Sequence, residues 1–509
     1  SLQDPMDRRD RDTLAPPPPP RPTARAVPRF GLCIQTSPDS ARIGEVIELD
    51  GVLTLTVGRS HDATAAIADL WLSRQHFRIT VAAGGQLGCG PWTIEDLGTR
   101  NGTWVNGQRI TSGPLVVGDV VRAGATVLAV GAALVETDDL GLVGRSVVLA
   151  EVRQQVRSVA EGLRPVHISG ESGAGKEVVA AAIHRASARK GPFLAVNMAT
   201  LVSNLAESQL FGHRRGAFTG AQGEGVGAFD AAQGGTLLLD EIGELDPLLQ
   251  AKLLRAVEEG EVHRLGDARP HKTDVRLVTA THRDLDALVQ QGRFRQDLYW
   301  RIAHTCIEMP PLRERVMDVV PIADHVLTGV GAPSLAILSA SHSRVAWQVA
   351  EIVERYLLYD WPGNVRELRD EAGRLAEAMR HRQRMQASSP VPPLDEACSS
   401  RLRGQPLPAQ PSAPSAVASR VESAPPPDID PQEAAWFAAV LDDRESLSDA
   451  IRSRAGGRIR AFAEQASRAL GRPGDGVRRH IYRTLGDSLD QLREPRTRLS
   501  AAADARSTD

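Results

Sequence analysis

The chain has 509 residues, of which 42% are hydrophobic, 24% charged and only 4% aromatic, and its net charge is −3. That length predicts about three domains, and the charge balance excludes a uniformly basic nucleic-acid coat while leaving a local basic patch open. The four cysteines, Cys33, Cys89, Cys306 and Cys398, form no CxxC pair, which argues against structural zinc or a disulfide framework and for a reducing, cytoplasmic setting.

Taken in order, residues 1–29 hold the run Pro16–Pro20 and mixed charge, a composition that predicts disorder. From 30 to 135, short Val/Ile/Leu runs such as "IELDGVLTLTVGR" and "WTIEDLG" are broken by Gly, Asn and Asp, predicting an all-β sandwich. The most apolar stretch, Ala123 to Val135, is shorter than the ~20 residues of a membrane helix and reads as a strand; no membrane partner is expected.

From 144 to 310 the strands "PVHIS", "PFLAVN", "GTLLLDEI" and "DVRLVTAT" alternate with helical runs, the pattern of an α/β domain with a mainly parallel sheet. Residues 311–385 read as helices, 386–430 as a Pro/Ser/Ala-rich linker, and 431–495 as a small all-α domain rich in arginine.

"GESGAGKE", Gly170 to Glu177, lies between a strand and a helix with the GxxxxGK spacing of a phosphate loop. Its residues Gly170, Glu171, Ser172, Gly173, Ala174 and Gly175 let backbone N–H groups converge on phosphates, and Lys176 reaches the terminal ones. Glu177 stands where a magnesium-binding hydroxyl is usual. Asp240 and Glu241 end an apolar strand: Asp240 suits a magnesium ion, and Glu241 suits the activation of an attacking water.

With these motifs stand "ESQLFGHRRGAFTGA", "DVRLVTATHRDL", "GRFRQDLYWRI", "PPLRER" and "WPGNVREL". Over 144–385 the chain resembles the AAA+ ATPases of the bacterial enhancer-binding proteins, activators of sigma-54 RNA polymerase. The resemblance implies an ATP- and magnesium-dependent, ring-forming homo-oligomer. It implies that Gly216, Ala217, Phe218, Thr219, Gly220 and Ala221 form the loop that touches sigma-54. It implies that Asn197 is the switch that holds the catalytic glutamate, and that Thr281 and His282 sense the γ-phosphate. Arg295 and Arg301 would reach the neighbouring subunit's site, and Arg366 would be the second sensor. His282, Met198, Arg214, Arg215 and Gly225 depart from the family's usual residues.

Upstream, "VGRS", "LSRQHF" and "RNGTWVNG" stand at loop ends between strands and together resemble a forkhead-associated (FHA) domain. A phosphate of charge near −2 needs Arg and hydroxyl or amide donors converging on it. The resemblance implies that Arg59, Ser73 and Arg74 hold a phosphothreonine and that Asn101 binds the peptide backbone, with His76 bracing the loops. The expected partner is a phosphothreonine protein, a Ser/Thr kinase or its substrate.

Between Arg452 and Arg483 nine arginines face Glu464 and Asp475, a local charge of +7. This region resembles a Fis-like helix-turn-helix, which implies contact with double-stranded upstream DNA through Arg478, Arg479, His480, Tyr482 and Arg483. The expected whole is a sigma-54-dependent activator. A phosphoprotein adaptor whose ATPase serves assembly, and a DNA-binding repressor with a silent ATPase, are the open alternatives.

Overall fold

The computed structural model describes residues 29–404, apart from 50–52, 87–89, 135–139, 202, 219–222, 341–343, 386 and 388. The expected disorder before residue 29, the rest of the linker, the helix-turn-helix with its DNA-contacting residues, and Thr219, Gly220 and Ala221 lie outside the described residues. Among those described, no helix is long and apolar enough to cross a membrane.

Residues 29–133 form the expected sandwich. One sheet has six strands, in the order 46–48, 29–36, 126–133, 120–123, 103–105, 108–110, and the other has five, ordered 65–66, 54–58, 77–86, 90–96, 112–115. Period-two alternation drives Leu32, Ile34, Val57, Phe77, Ile79, Ile94, Val121 and Leu128 into the core between them. The strand Thr126–Ala133 is buried on nearly its whole length. Leu128 and Val130 face the sandwich core, whereas Val127 joins the core of the helical region and Ala129 packs with Met317. The outer face of this sheet is therefore covered, because "TVLAVGAA" puts no charge on either face.

The next domain has five parallel strands, ordered Phe193–Asn197, Thr236–Asp240, Arg276–Thr281, Val166–Ser169, Cys306–Glu308. Helices bury both faces of such a sheet, which is why its strands read as near-continuous apolar runs. The register pairs Asn197 with Asp240 and Ser169 with Thr281, lining up four polar side chains at the carboxyl ends, where ligands bind in open α/β sheets.

The lid consists of helices Val319–Gly329, Leu335–Ser339, Arg344–Leu358 and Asn364–Arg384 around Trp361, Tyr356, Leu368 and Leu375. The expected linker needs correction at its start. Residues 391–404 carry two short helices, Leu394–Ala397 and Ser400–Gly404, and Val391, Ala397, Cys398 and Leu402 are buried in the lid core. Apolar residues spaced along a Pro/Ser-rich background supply enough burial to hold this piece down.

Candidate functional site

A cavity of about 560 Å³ lies over the carboxyl ends of the parallel strands. The phosphate loop forms its floor. Gly173 and Gly175 have φ of 74° and 109°, and a Cβ on Gly173 would lie 2.4 Å from the carbonyl oxygen of Gly363, so only glycine fits. The helix Lys176–Ala186 starts without a side-chain cap, which leaves its first N–H groups facing the cavity, a ready anion site.

Lys176 is 6% exposed, and its Nζ donates to the carbonyls of Gly170 and Glu171 at 3.0 and 3.1 Å. Burial lowers its pKa against the opposing pull of Glu241 and Asp240. Asp240 is pushed upward by burial and then by Glu241, with Glu177 adding to it. Burial alone would raise Glu241 as well, but hydrogen bonds and charge from His282, with Lys176, leave it lowered. Two adjacent carboxylates are thus driven apart, the division of labour that hydrolytic sites use. Glu241 also adopts φ 54°, ψ 46°, a left-handed backbone that is strained for a glutamate and typical of functional sites.

The expected switch geometry differs in detail. The Asn197 amide donates to Asp240 Oδ2 at 3.1 Å rather than to Glu241. Glu241 Oε2 instead meets Thr281 Oγ1 at 3.2 Å and His282 Nδ1 at 2.8 Å. The register sets Asn197 beside Asp240, and the αL turn at Glu241 carries that side chain towards Thr281 and His282.

Arg366 faces the same cavity and donates to Ser172 Oγ at 3.3 Å. Arg295 and Arg301 do not line it. Arg295 caps the start of the short helix Gln296–Ile302 and pairs with Asp297, while Arg301 stands in its last turn, paired with Glu258 and next to Trp300, which is 66% exposed. Phe218 is half-buried, its ring edge-on to His213 at 5.1 Å. The base of its loop is tied to 264–267, with Arg214 N on Leu265 O and the Arg214 guanidinium on Asp267.

Several site residues had no role assigned from the sequence, although Arg313 and Arg315 lie in "PPLRER" and Asn364 in "WPGNVREL". Asn364 is fully buried with φ 53°. It accepts from Leu312 N and donates to Glu171 Oε2 and Ser172 O, binding the lid to the phosphate loop. Arg313 forks onto Glu171 at 2.9 and 2.5 Å, and Arg315 reaches Ala174 O. Gly141, Leu142, Val143, Ile322, His325 and Val326 close the far end of the cavity.

In the sandwich, three loop ends converge. Arg59 N donates to Ser73 O and Ser60 N to Arg74 O. His76 is buried: Nδ1 accepts from Ser73 N at 3.0 Å and Nε2 donates to Gly102 O at 3.1 Å. Burial lowers its pKa, so the neutral ring braces both loops. Arg59 and Arg74 are exposed on this edge, Ser73 and Asn101 half-buried, and the Asn101 amide donates to Trp71 O at 2.7 Å.

Residues 142–308 match the sigma-54 interaction domain and residues 55–124 the FHA domain. Over 240 residues the chain is 45% identical to the DNA-binding transcriptional regulator NtrC of Azospirillum brasilense, covering 47% of this chain and 48% of that protein. It is 48% identical over 240 residues to the Nif-specific regulatory protein of Herbaspirillum seropedicae, covering 47% and 43%. A crystal structure of NtrX from Brucella abortus is 26% identical with a TM-score of 0.44, covering 68% of this chain and 70% of that one. The chain spans about half the length of the curated relatives it matches.

Proposed function

Because the chain carries a sigma-54 interaction domain joined to an FHA domain, we propose that it is an ATP-hydrolysing activator of sigma-54 RNA polymerase, governed by phosphothreonine binding. The observation that carries this reading is the meeting of Lys176, Asp240, Glu241 and Arg366 around one phosphate-loop cavity, with His282 held on Glu241.

The uncapped helix and the Lys176 ammonium bind the phosphates of ATP; Arg366 and Asn364 hold the lid over them. Glu241, kept ionised by His282, accepts a proton from the attacking water as it approaches the γ-phosphorus. The described residues contain no cluster of three or more metal-ligating side chains. The donor set suits a magnesium ion bound by phosphate oxygens, waters and Asp240, whose crowding by Glu177 and Glu241 a cation would relieve. Magnesium would neutralise charge on the leaving phosphates. Arg295 and Arg301, exposed beside Trp300, offer a neighbouring subunit both an apolar anchor and an arginine for the developing charge.

The tying of the Arg214–Phe218 segment to 264–267 supports transmission of nucleotide state to the Gly216–Ala221 loop, whose role is contact with sigma-54. The three convergent loops of the sandwich support recognition of a phosphothreonine protein, with a Ser/Thr kinase supplying the signal. The arginine-rich segment 452–483 fits upstream DNA.

The test is ATP-dependent open-complex formation on a sigma-54 promoter, beside Thr219→Ala. Wild type opens the promoter; Thr219→Ala hydrolyses ATP without opening it. Hydrolysis without opening by wild type, with or without residues 1–135, would favour the adaptor reading instead.

A further inference from the structure

The covered face of the six-stranded sheet meets the lid helix Arg344–Leu358 through an unusual contact. Arg122, 6% exposed, donates from Nε to Glu354 Oε2 at 2.7 Å, with Glu354 7% exposed. The Arg122 guanidinium lies 4.8 Å from the Trp104 ring centroid and 5.3 Å from that of Trp347, so two indoles enclose the cation, one from each domain. Val120 and Val127 complete the contact inside the lid core.

Two features set this interface apart from a permanent core. First, it buries polar atoms without partners among the described residues: Arg122 Nη1, Glu354 Oε1, and the indole N–H groups of Trp71 and Trp104. Each is hydrated when the faces part, so separation recovers hydrogen bonds that docking forgoes. Second, it is continuous with the phosphopeptide loops. Trp71 packs edge-on against Trp347, with ring centroids 5.5 Å apart. Trp71 is two residues from Ser73, and its carbonyl is held by the Asn101 amide. Asp69 fixes the other side, accepting from Trp71 N, Ala125 N and Thr126 Oγ1, which joins this loop to the turn between the two interface strands.

We infer that the outer face of the six-stranded sheet, centred on Arg122, is the docking surface for the lid helix Arg344–Leu358, and that a phosphothreonine peptide opens it. This rests on the phosphothreonine reading of the sandwich. A peptide backbone that engages Asn101 draws its amide from Trp71 O, and the Trp71 ring loses the support that seats it on Trp347. The lid helix leads through Trp361 to Asn364, which grips the phosphate loop, so release of this face frees the lid over the nucleotide. Because coupling is reciprocal, weakening the docking contact must tighten peptide binding.

The test uses the full chain and a degenerate phosphothreonine peptide pool, with its unphosphorylated twin as control. Glu354→Gln and Trp347→Leu change only the lid side of the contact and leave every residue of the peptide loops unaltered. Both are expected to bind the pool about fivefold or more tightly than wild type, the lower end of ordinary coupling, while Arg59→Ala loses binding. In wild type, adding the pool is expected to speed amide hydrogen exchange across 344–358. Binding that depends on Arg59 but is unchanged within twofold in both lid variants, with no change in exchange, overturns the coupling and leaves the phosphothreonine reading standing. Absence of any Arg59-dependent binding overturns both.

Discussion

Replacing Asn364 by alanine tests the joint between lid and phosphate loop. The side chain is fully buried and makes three hydrogen bonds, to Leu312 N, Glu171 Oε2 and Ser172 O. Alanine leaves the buried Leu312 N–H without its acceptor, a loss of about 1–3 kcal/mol. It also puts a plain Cβ residue at φ 53°, where asparagine is tolerated and alanine costs about 1 kcal/mol more. The sum is about 2–4 kcal/mol. Asn364→Gly removes the same hydrogen bonds but relieves the backbone, so it should fall short of wild type by about 1 kcal/mol less than alanine does. Urea unfolding followed by circular dichroism at pH 7 gives the order wild type, glycine, alanine, and calorimetry should show weaker ATP binding in both variants. An alanine variant within about 0.5 kcal/mol of wild type, the usual range of a neutral surface change, or a glycine variant less stable than the alanine one, would refute the reasoning.

Two further outcomes follow from the site. His167 sits under the phosphate loop, its Nδ1 2.9 Å from Thr279 Oγ1, and burial, then the Lys176 charge, pulls its pKa from 6.5 to about 4. A histidine kept neutral in the fold is protonated in the unfolded chain first. Its contribution is therefore intact above pH 6.5 and lost as pH falls towards 4, about 2 kcal/mol between pH 7 and pH 5; urea midpoints of wild type and His167→Gln should converge over that interval, and parallel pH profiles would contradict it. At His282, asparagine preserves a donor to Glu241 while leucine does not. His282→Asn should keep most of the ATP turnover and His282→Leu should lose about 10²-fold in kcat at nearly constant KM, whereas a rise in KM alone would assign His282 to nucleotide binding.

The phosphate loop was legible because its chemistry is local. Backbone N–H groups converge only when glycines fall at set places in one short segment, and Gly170 to Lys176 display them in sequence. The same holds for the strand ends Asp240, Glu241 and Thr281: apolar runs announce a parallel sheet, and polar residues at their ends announce a site. His76 was readable as a brace for a similar reason, standing one turn from the loop it supports.

What the linear order could not convey is which partner each of these groups takes. Whether the Asn197 amide reaches Asp240 or Glu241 depends on strand register and on the left-handed turn at Glu241, a matter of a few ångströms. Asn364, Arg313 and Arg315 work through contacts 52 to 193 residues away in the chain, and no spacing rule connects such positions. The joining of Arg122 to Glu354 lies further out still, 232 residues apart. Local composition specified the sandwich, the phosphate-loop domain and the helical lid, because backbone propensity and hydrophobic period act over a few residues. Only the tertiary structure decided that the sandwich lies against the lid, because burial of "TVLAVGAA" on both faces is satisfied by whatever surface the rest of the chain brings to it.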